Sequence, residues 1–249
     1  MIFFCDGSDM VSDSDFVTMT TFLSDLIDNF DIQSQRMKIG IAQFGSHYQE
    51  IIELQNSLTK TQWKSRIQTI TKSNGLPRMD LALKQVSVMF EQSAGGRRKA
   101  GVPQTLVVIT SGGPRYDVAE AVKTLREDGI CILALGIGDV YKEQLLSITG
   151  NSEKIITFKD FDKLKNVDVK KRMVREICQS CGKTSECSLA LSLLLFDCSF
   201  PVVHFLRCLW ASPAEHVCGE NRHLFCFQKL RSVSLPQRQG KGCRGRRRP

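Results

Sequence analysis

The cysteine and histidine residues in the last third of the chain are the side chains whose types most readily bind a transition metal. Cys178 and Cys181 form a C-x-x-C pair. A second group comprises His216, Cys218, His223 and Cys226. The spacing fits no common zinc finger, and no ββα or ribbon pattern lies between these residues. We therefore favour thiols in an unstructured segment over a zinc site.

A glycine pair suggests a second kind of chemistry. Gly136 and Gly138 follow an apolar run and precede a helical stretch, as the first two glycines of a dinucleotide-binding turn do. Tyr141 stands where the third glycine of that motif belongs. A tight turn between a strand and a helix is the favoured interpretation, so no cofactor is predicted.

Catalytic arrangements of nucleophile and base are not evident in the sequence. His47 is the one histidine among the first 178 residues, and it falls in a polar loop. No Ser/His/Asp or Cys/His arrangement stands out around it. The sequence therefore predicts a protein without enzymatic activity.

The first 178 residues alternate short apolar runs with stretches of helical periodicity. Strands are predicted at 2–5, 38–44, 48–54, 106–110, 130–135 and 155–158. Helices are predicted at 16–30, 59–70, 81–92, 118–128, 141–148 and 161–178. Several of the strands are apolar on both faces, as in a sheet covered by helices on each side. This pattern predicts one doubly wound α/β domain with a mostly parallel, six-stranded, Rossmann-like sheet.

Residues 179–249 show neither a sustained period nor a second apolar core, and we predict that they are disordered. The stretch 189–206 approaches the roughly 20 apolar residues of a membrane span. Asp197, Pro201 and His204 interrupt it, so no span is expected. Eight of the ten cysteines fall at or after Cys178, which hints at an oxidising compartment.

The positive charge of the chain is concentrated at its carboxyl end. The net charge is +8, but residues 227–249 carry eight of the 34 basic residues and no acidic one. The remaining 26 basic residues balance the 26 acidic ones. A nucleic-acid-binding fold needs a basic surface on the fold itself, so no nucleic-acid partner is expected.

Five segments together resemble the von Willebrand factor A (VWA) domain family in order and spacing. They are residues 3–8, 36–44, 106–112, 117–138 and 174–178. The likeness covers residues 1–178 and is strongest to the repeated VWA domains in the long alpha chains of collagen VI, of the alpha-4 type. It implies a matrix or cell-surface protein as partner, collagens included, and an extracellular-matrix location.

The family resemblance implies a metal-ion-dependent adhesion site, for which this chain retains two of five protein ligands. Asp6 and Ser8 match the family's first loop. Met10, Pro77 and Ser111 stand where a serine, a threonine and an aspartate are expected. A thioether is too soft for Mg²⁺, proline has no side-chain oxygen, and serine lacks the carboxylate charge. We therefore expect a degenerate site that binds no metal.

Three other acidic residues lie near the same loops, namely Asp9, Asp80 and Asp117. An oxygen site needs several ligands that converge in a fixed geometry, which sequence proximity does not provide. We therefore interpret these carboxylates as solvated loop and helix-cap groups.

A non-enzymatic matrix or adhesion module is the leading functional hypothesis. Two alternatives remain open at this stage: a truncated, pseudogene-like product without active function, and a cation-dependent adhesion domain. The hypothesis of a truncated product rests on the position of Met1, which stands immediately before the first strand with no signal peptide ahead of it. That position predicts a first strand truncated at its amino end and argues against secretion.

Overall fold

The central feature of the protein is a six-stranded sheet. Its strands, numbered β1 to β6 along the chain, lie side by side in the order β3-β2-β1-β4-β5-β6. This computed structural model describes residues 1–32 and 37–180. The strands are β1 (Ile2–Asp6), β2 (Gly40–Phe44), β3 (Tyr48–Ile52), β4 (Gln104–Thr110), β5 (Ile130–Ile137) and β6 (Ile155–Phe158). Only β3 is antiparallel to its neighbour. The predicted doubly wound, mostly parallel sheet is confirmed.

The described part of the chain contains six α-helices, of which the first five lie between strands and the sixth follows β6. They are α1 (Asp13–Ile27), α2 (Lys60–Gln68), α3 (Met79–Val86), α4 (Ala119–Glu127), α5 (Lys142–Thr149) and α6 (Val167–Ser180). The first begins three residues earlier than its apolar stripe predicts, because the Ser12 hydroxyl accepts a hydrogen bond from the Asp15 N–H (3.1 Å) and caps it. Thr59 and Gln62 form a capping box at the start of α2.

The prediction of a single helix over residues 161–178 is wrong, because the structure has two separate elements there. A 3₁₀ turn, Phe161–Lys165, comes first, and α6 starts after it. The break falls at Asn166, whose side-chain oxygen accepts a hydrogen bond from the Asp168 N–H (2.7 Å). An asparagine that bonds to the backbone two residues on starts a new helix rather than continuing the old turn. Likewise, a 3₁₀ turn at Ser87–Phe90 follows α3 where a continuous helix was predicted.

Two apolar layers, one on each face of the sheet, form the core. Alternation along β1 sends Phe3 and Cys5 to the face covered by α1, α2 and α6, and Ile2 and Phe4 to the opposite face. The second face is covered by α3, α4 and α5. Because helices cover both faces, every residue of the central strand β1 is buried.

The two early cysteines differ in chemistry. Cys5 is a buried free thiol, and burial raises its pKa well above the ordinary range. A cysteine in an apolar strand, as Cys131 is, is expected from sequence to be a small buried hydrophobe, but Cys131 is half-buried and disulfide-bonded. Cys178, near the end of α6, is also disulfide-bonded. Both bonds are compatible with folding in an oxidising compartment.

The order of the strands brings several connecting loops to one end of the sheet. The five parallel strands all point the same way, so the loops that follow β1, β2, β4, β5 and β6 meet at one edge, here called the carboxyl edge. The chain between α2 and α3 returns to this edge, since the Asn74 N–H donates to the Gly7 carbonyl (2.7 Å). Among the described residues, no helix is long and apolar enough to cross a membrane.

Candidate functional site

The carboxylate of Asp6 lies at the centre of the carboxyl edge, at the end of β1, and is completely buried. Its Oδ1 accepts hydrogen bonds from the backbone N–H (3.1 Å) and the hydroxyl (2.6 Å) of Ser8. Ser8 is buried as completely as Asp6. The first two residues of the predicted ligand set are therefore bonded to each other.

The other oxygen of Asp6 contacts the end of β4, the neighbouring strand. Asp6 Oδ2 accepts from the Ser111 N–H (3.3 Å) and lies 3.4 Å from Ser111 Oγ. The Thr110 hydroxyl is 3.0 Å from the same oxygen and 2.6 Å from the Gly112 carbonyl, so its one proton is shared between these two acceptors. Both carboxylate oxygens are thus surrounded by donors from the protein.

Met10 occupies the third position of the predicted set and points partly into solvent, with 46% of its surface exposed. Its backbone N–H donates to Ser8 Oγ (3.3 Å), which fixes the loop. The guanidinium of Arg115, from the loop after β4, lies 3.2 Å from the Met10 sulfur through Nη2. Where the family resemblance places a ligand oxygen, this chain therefore places a thioether next to a positive charge.

Pro77 lies in the segment that crosses the edge between α2 and α3. The Asp9 N–H donates to the Gly75 carbonyl (2.9 Å), which holds this segment against the first loop. Asn74 and Gly75 have positive φ angles of 59° and 74°, and this left-handed pair makes the turn. Pro77 follows two residues later and is buried. The structure thus brings the loops carrying all five predicted positions to one edge.

Arg78 forms a second connection across the edge. Its guanidinium makes two hydrogen bonds with the Asp80 carboxylate, Nε to Oδ1 (3.0 Å) and Nη2 to Oδ2 (2.8 Å). The same group lies 4.5 Å from the ring centroid of Tyr116, in the loop after β4. The hydrogen bonds from Arg78 hold the pKa of Asp80 below its usual range.

The three additional acidic residues considered from the sequence have separate roles. Asp9 is exposed, as predicted. Asp117 accepts a hydrogen bond from the Ala119 N–H (2.8 Å) and so caps α4. Asp80 is not the solvated group that was expected, because Arg78 pairs with it and leaves 14% of its side chain exposed. In the described part of the chain, no three His, Cys, Asp or Glu side chains are grouped closely enough to share a metal ion.

A cavity of about 530 Å³ opens beside Met10, between the loops that follow β4, β5 and β6. We call it the edge cavity. Its lining comprises Met10, Asp15, Ser111, Gly112, Gly113, Arg115, Ile137, Gly138, Asp139, Tyr141, Gln144, Lys159, Asp160 and Phe161. Sequence reasoning missed Arg78, Arg115 and Tyr116, since no periodic spacing links one loop to another. These loops lie close together because the strand order of the sheet brings them to the same edge.

Comparison with known proteins identifies the family. Residues 1–170 match the von Willebrand factor type A domain. The chain belongs to this family. The resemblance recognised from the five sequence segments is thereby confirmed, and the fold described above is the VWA fold.

Collagen VI chains are close relatives of this VWA domain. The chain is 80% identical over 185 residues to the human collagen alpha-5(VI) chain, covering 74% of this chain and 7% of that one. Identity to the mouse collagen alpha-4(VI) chain, the type named from the sequence, is 32% over 193 residues, or 78% of this chain and 8% of that one. The likeness to alpha-5 is thus much the stronger. The chain spans less than a tenth of the length of these relatives.

Solved structures agree on the fold. Proximal thread matrix protein 1 from the mussel byssus, in a structure with a zinc-occupied MIDAS motif, superimposes with a TM-score of 0.65. The match covers 71% of this chain and 47% of the mussel protein, at 22% identity. At that identity the likeness supports the architecture alone.

The Asp6 hydrogen bonds make a testable contribution to stability. Asp6→Asn replaces one carboxylate oxygen with an NH₂ group that must face donors from Ser8 or β4. We expect the free energy of unfolding to fall by about 2–3 kcal/mol, because a buried donor is left without an acceptor. Urea unfolding of the full chain measures this. The exposed Asp9→Asn variant is the control, and an equal loss in both variants would contradict the assignment.

The Arg78–Asp80 pair predicts a pH dependence. Because the folded-state pKa of Asp80 is lowered, its contribution is present above the unfolded pKa, near ~4, and disappears as pH falls through the folded value. We expect Asp80→Asn to lower the melting temperature by about 2 °C at pH 7, with the difference from wild type closing as pH falls through the lowered folded-state pKa of Asp80. In an Arg78→Gln background, Asp80→Asn should give no such pH-dependent difference. A difference that persists there would contradict the pairing.

Proposed function

We propose that this chain is a non-enzymatic protein-binding module of the extracellular matrix, which binds its partners at the carboxyl edge without a metal ion. The observation that carries this proposal is the hydrogen bonding of the Asp6 carboxylate. The one carboxylate at the centre of the edge has both oxygens engaged by the protein's own donors. It therefore has a structural role in joining two loops.

The residue types at the other ligand positions support binding without a metal ion. Mg²⁺ requires near-octahedral oxygen ligation at about 2.1 Å, with several protein oxygens converging. Met10 supplies a thioether, Pro77 supplies no side-chain donor, and Ser111 supplies no charge. The Arg115 guanidinium beside the Met10 sulfur adds repulsion toward a divalent cation. The residues present do not fit a divalent ion.

Exposed apolar side chains give the edge a different means of binding. Large hydrophobic residues that remain exposed on the loops and first helical turns of this edge are Met10, Leu76, Leu81, Tyr116 and Tyr141. Tyrosine, arginine and methionine are the side chains that protein interfaces favour over the rest of a protein's surface. An interface built from these groups needs no cation.

The relatives and the disulfides support an extracellular location. The collagen alpha-5(VI) chain is 80% identical over the shared segment. Cys131 and Cys178 are disulfide-bonded, which is typical of secreted proteins. By this likeness, the partners are matrix or cell-surface proteins, collagens among them.

A solid-phase assay tests the proposed function. The full chain is applied to an immobilised panel of matrix proteins, including fibrillar and network collagens, in Mg²⁺ and in EDTA. We expect saturable binding that EDTA does not change, and a loss of at least about tenfold in Tyr116→Ser/Tyr141→Ser, since central aromatic residues dominate interface energies. Val88→Ser is the control, because Val88 is also exposed but lies in the 3₁₀ turn that follows α3, away from the carboxyl edge.

The same assay separates the alternatives. A cation-dependent adhesion domain would lose binding in EDTA, and an inert product would bind nothing on the panel. Either result would overturn the proposal.

Restoring the lost ligands provides a second prediction. In the triple variant Met10→Ser, Pro77→Thr, Ser111→Asp, the loops carry the full oxygen set. We expect Mg²⁺ or Mn²⁺ to raise the melting temperature of this variant by several degrees while the wild type shows no change, because a ligand stabilises only the state that binds it. Calorimetric titration should show the same contrast. A micromolar cation site in the wild type that disappears in Asp6→Ala would contradict the degenerate site.

A further inference from the structure

The edge cavity contains charged groups that the fold does not neutralise. Two basic and three acidic side chains line it: Arg115, Lys159, Asp15, Asp139 and Asp160. Within the described residues, none of these five takes part in an ion pair. Four of them, all but Asp15, are exposed, so their charges are accessible to a partner.

Arg115 is the charged group best placed to hold a ligand. Its Nη2 contacts the sulfur of Met10, a weak acceptor that leaves most of the guanidinium's donors available. The side chain is exposed and lines the cavity next to Ser111. A planar guanidinium of this kind binds a carboxylate through two parallel hydrogen bonds.

Apolar groups line the same cavity. Met10 is half-exposed, and Tyr141, at the start of α5, has 72% of its surface exposed. Ile137 and Phe161 form buried parts of the cavity lining. The cavity thus combines exposed apolar surface, supplied mainly by Met10 and Tyr141, with the accessible guanidinium of Arg115, and this combination suits an anionic group attached to an apolar one.

We propose that the edge cavity binds a partner segment presenting a single carboxylate beside an aromatic or aliphatic side chain, with Arg115 holding the carboxylate. This inference rests on the proposed function, since it names the chemistry of the partner at the same edge. The Arg115 guanidinium provides the positive charge for recognition. The binding therefore needs no divalent ion.

The acidic residues of the cavity restrict which segments fit. Asp15 accepts a hydrogen bond from the Ser12 hydroxyl (2.7 Å), and Asp160 caps the 3₁₀ turn that starts at Phe161. Both carboxylates are therefore held at the cavity by local bonds. Together with Asp139, these carboxylates repel any further acidic residues that a partner segment carries beside the one bound by Arg115. The partner segment carries an isolated acid, not an acidic run.

Small probes test this directly on the full chain. The ligand is 3-phenylpropanoate, compared with its neutral amide and with 2-phenylethylamine. The readout is the ¹³C-methyl resonance of Met10, assigned through Met10→Leu. We expect a saturable millimolar shift with the carboxylate, at least about tenfold weaker binding of the amide, and no saturation with the amine.

Variants of the basic residue complete the test. Arg115→Gln should weaken carboxylate binding at least about tenfold, and Arg115→Lys should restore part of it, since the charge remains but the paired geometry is lost. Lys123→Gln, on the exposed surface of α4, is the matched control. Capped peptides extend the comparison: Gly-Gly-Glu-Phe should bind more tightly than Glu-Glu-Glu-Phe.

Specific outcomes overturn the inference. Equal binding of the amide, tighter binding of the amine, unchanged binding in Arg115→Gln, or preference for the acidic run would each do so. The solid-phase assay distinguishes a failure of this inference from a failure of the proposed function. If wild type and Arg115→Gln bind matrix proteins equally in EDTA, the role of Arg115 fails while the metal-free module stands. If the probe binds but no matrix protein does, the proposed function fails.

Discussion

The hydrogen bonding of one buried carboxylate, that of Asp6, determines the arrangement of the carboxyl edge. A fully buried charge is tolerated only where donors replace the water it has lost. Here Ser8 supplies donors from the first loop, and Thr110 and Ser111 supply them from the end of β4. The bonds join the loops after two neighbouring parallel strands, so neither loop can shift without leaving a charge unsatisfied.

The rest of the edge is held by pairs that span different loops. Arg78 reaches from the start of α3 to Tyr116, and Arg115 reaches from the loop after β4 to Met10. A divalent ion would connect the same loops through shared oxygen ligands. In the proposed metal-free site, guanidinium groups and hydrogen bonds make those connections, which leaves apolar side chains and one available guanidinium facing the partner.

Much of the fold could be predicted because its causes are local or repetitive. The continuous apolar runs at residues 106–109 and 132–135 predict buried parallel strands, and they are buried. Element boundaries were less predictable. Ser12 and Asn166 set the starts of α1 and α6 through single side-chain bonds, and an apolar stripe contains no information about such caps.

The sequence by itself determined the family, the sheet and the positions that depart from the expected ligand set, because residue type alone excludes Met10 and Pro77 as oxygen ligands. Only the tertiary structure decided which groups occupy the space around those positions. The contact of Arg78 with the Tyr116 ring and the contact of Arg115 with Met10 each join chain segments far apart in sequence. Crossover connections between parallel strands bring such segments together, and no local pattern encodes which side chains then meet.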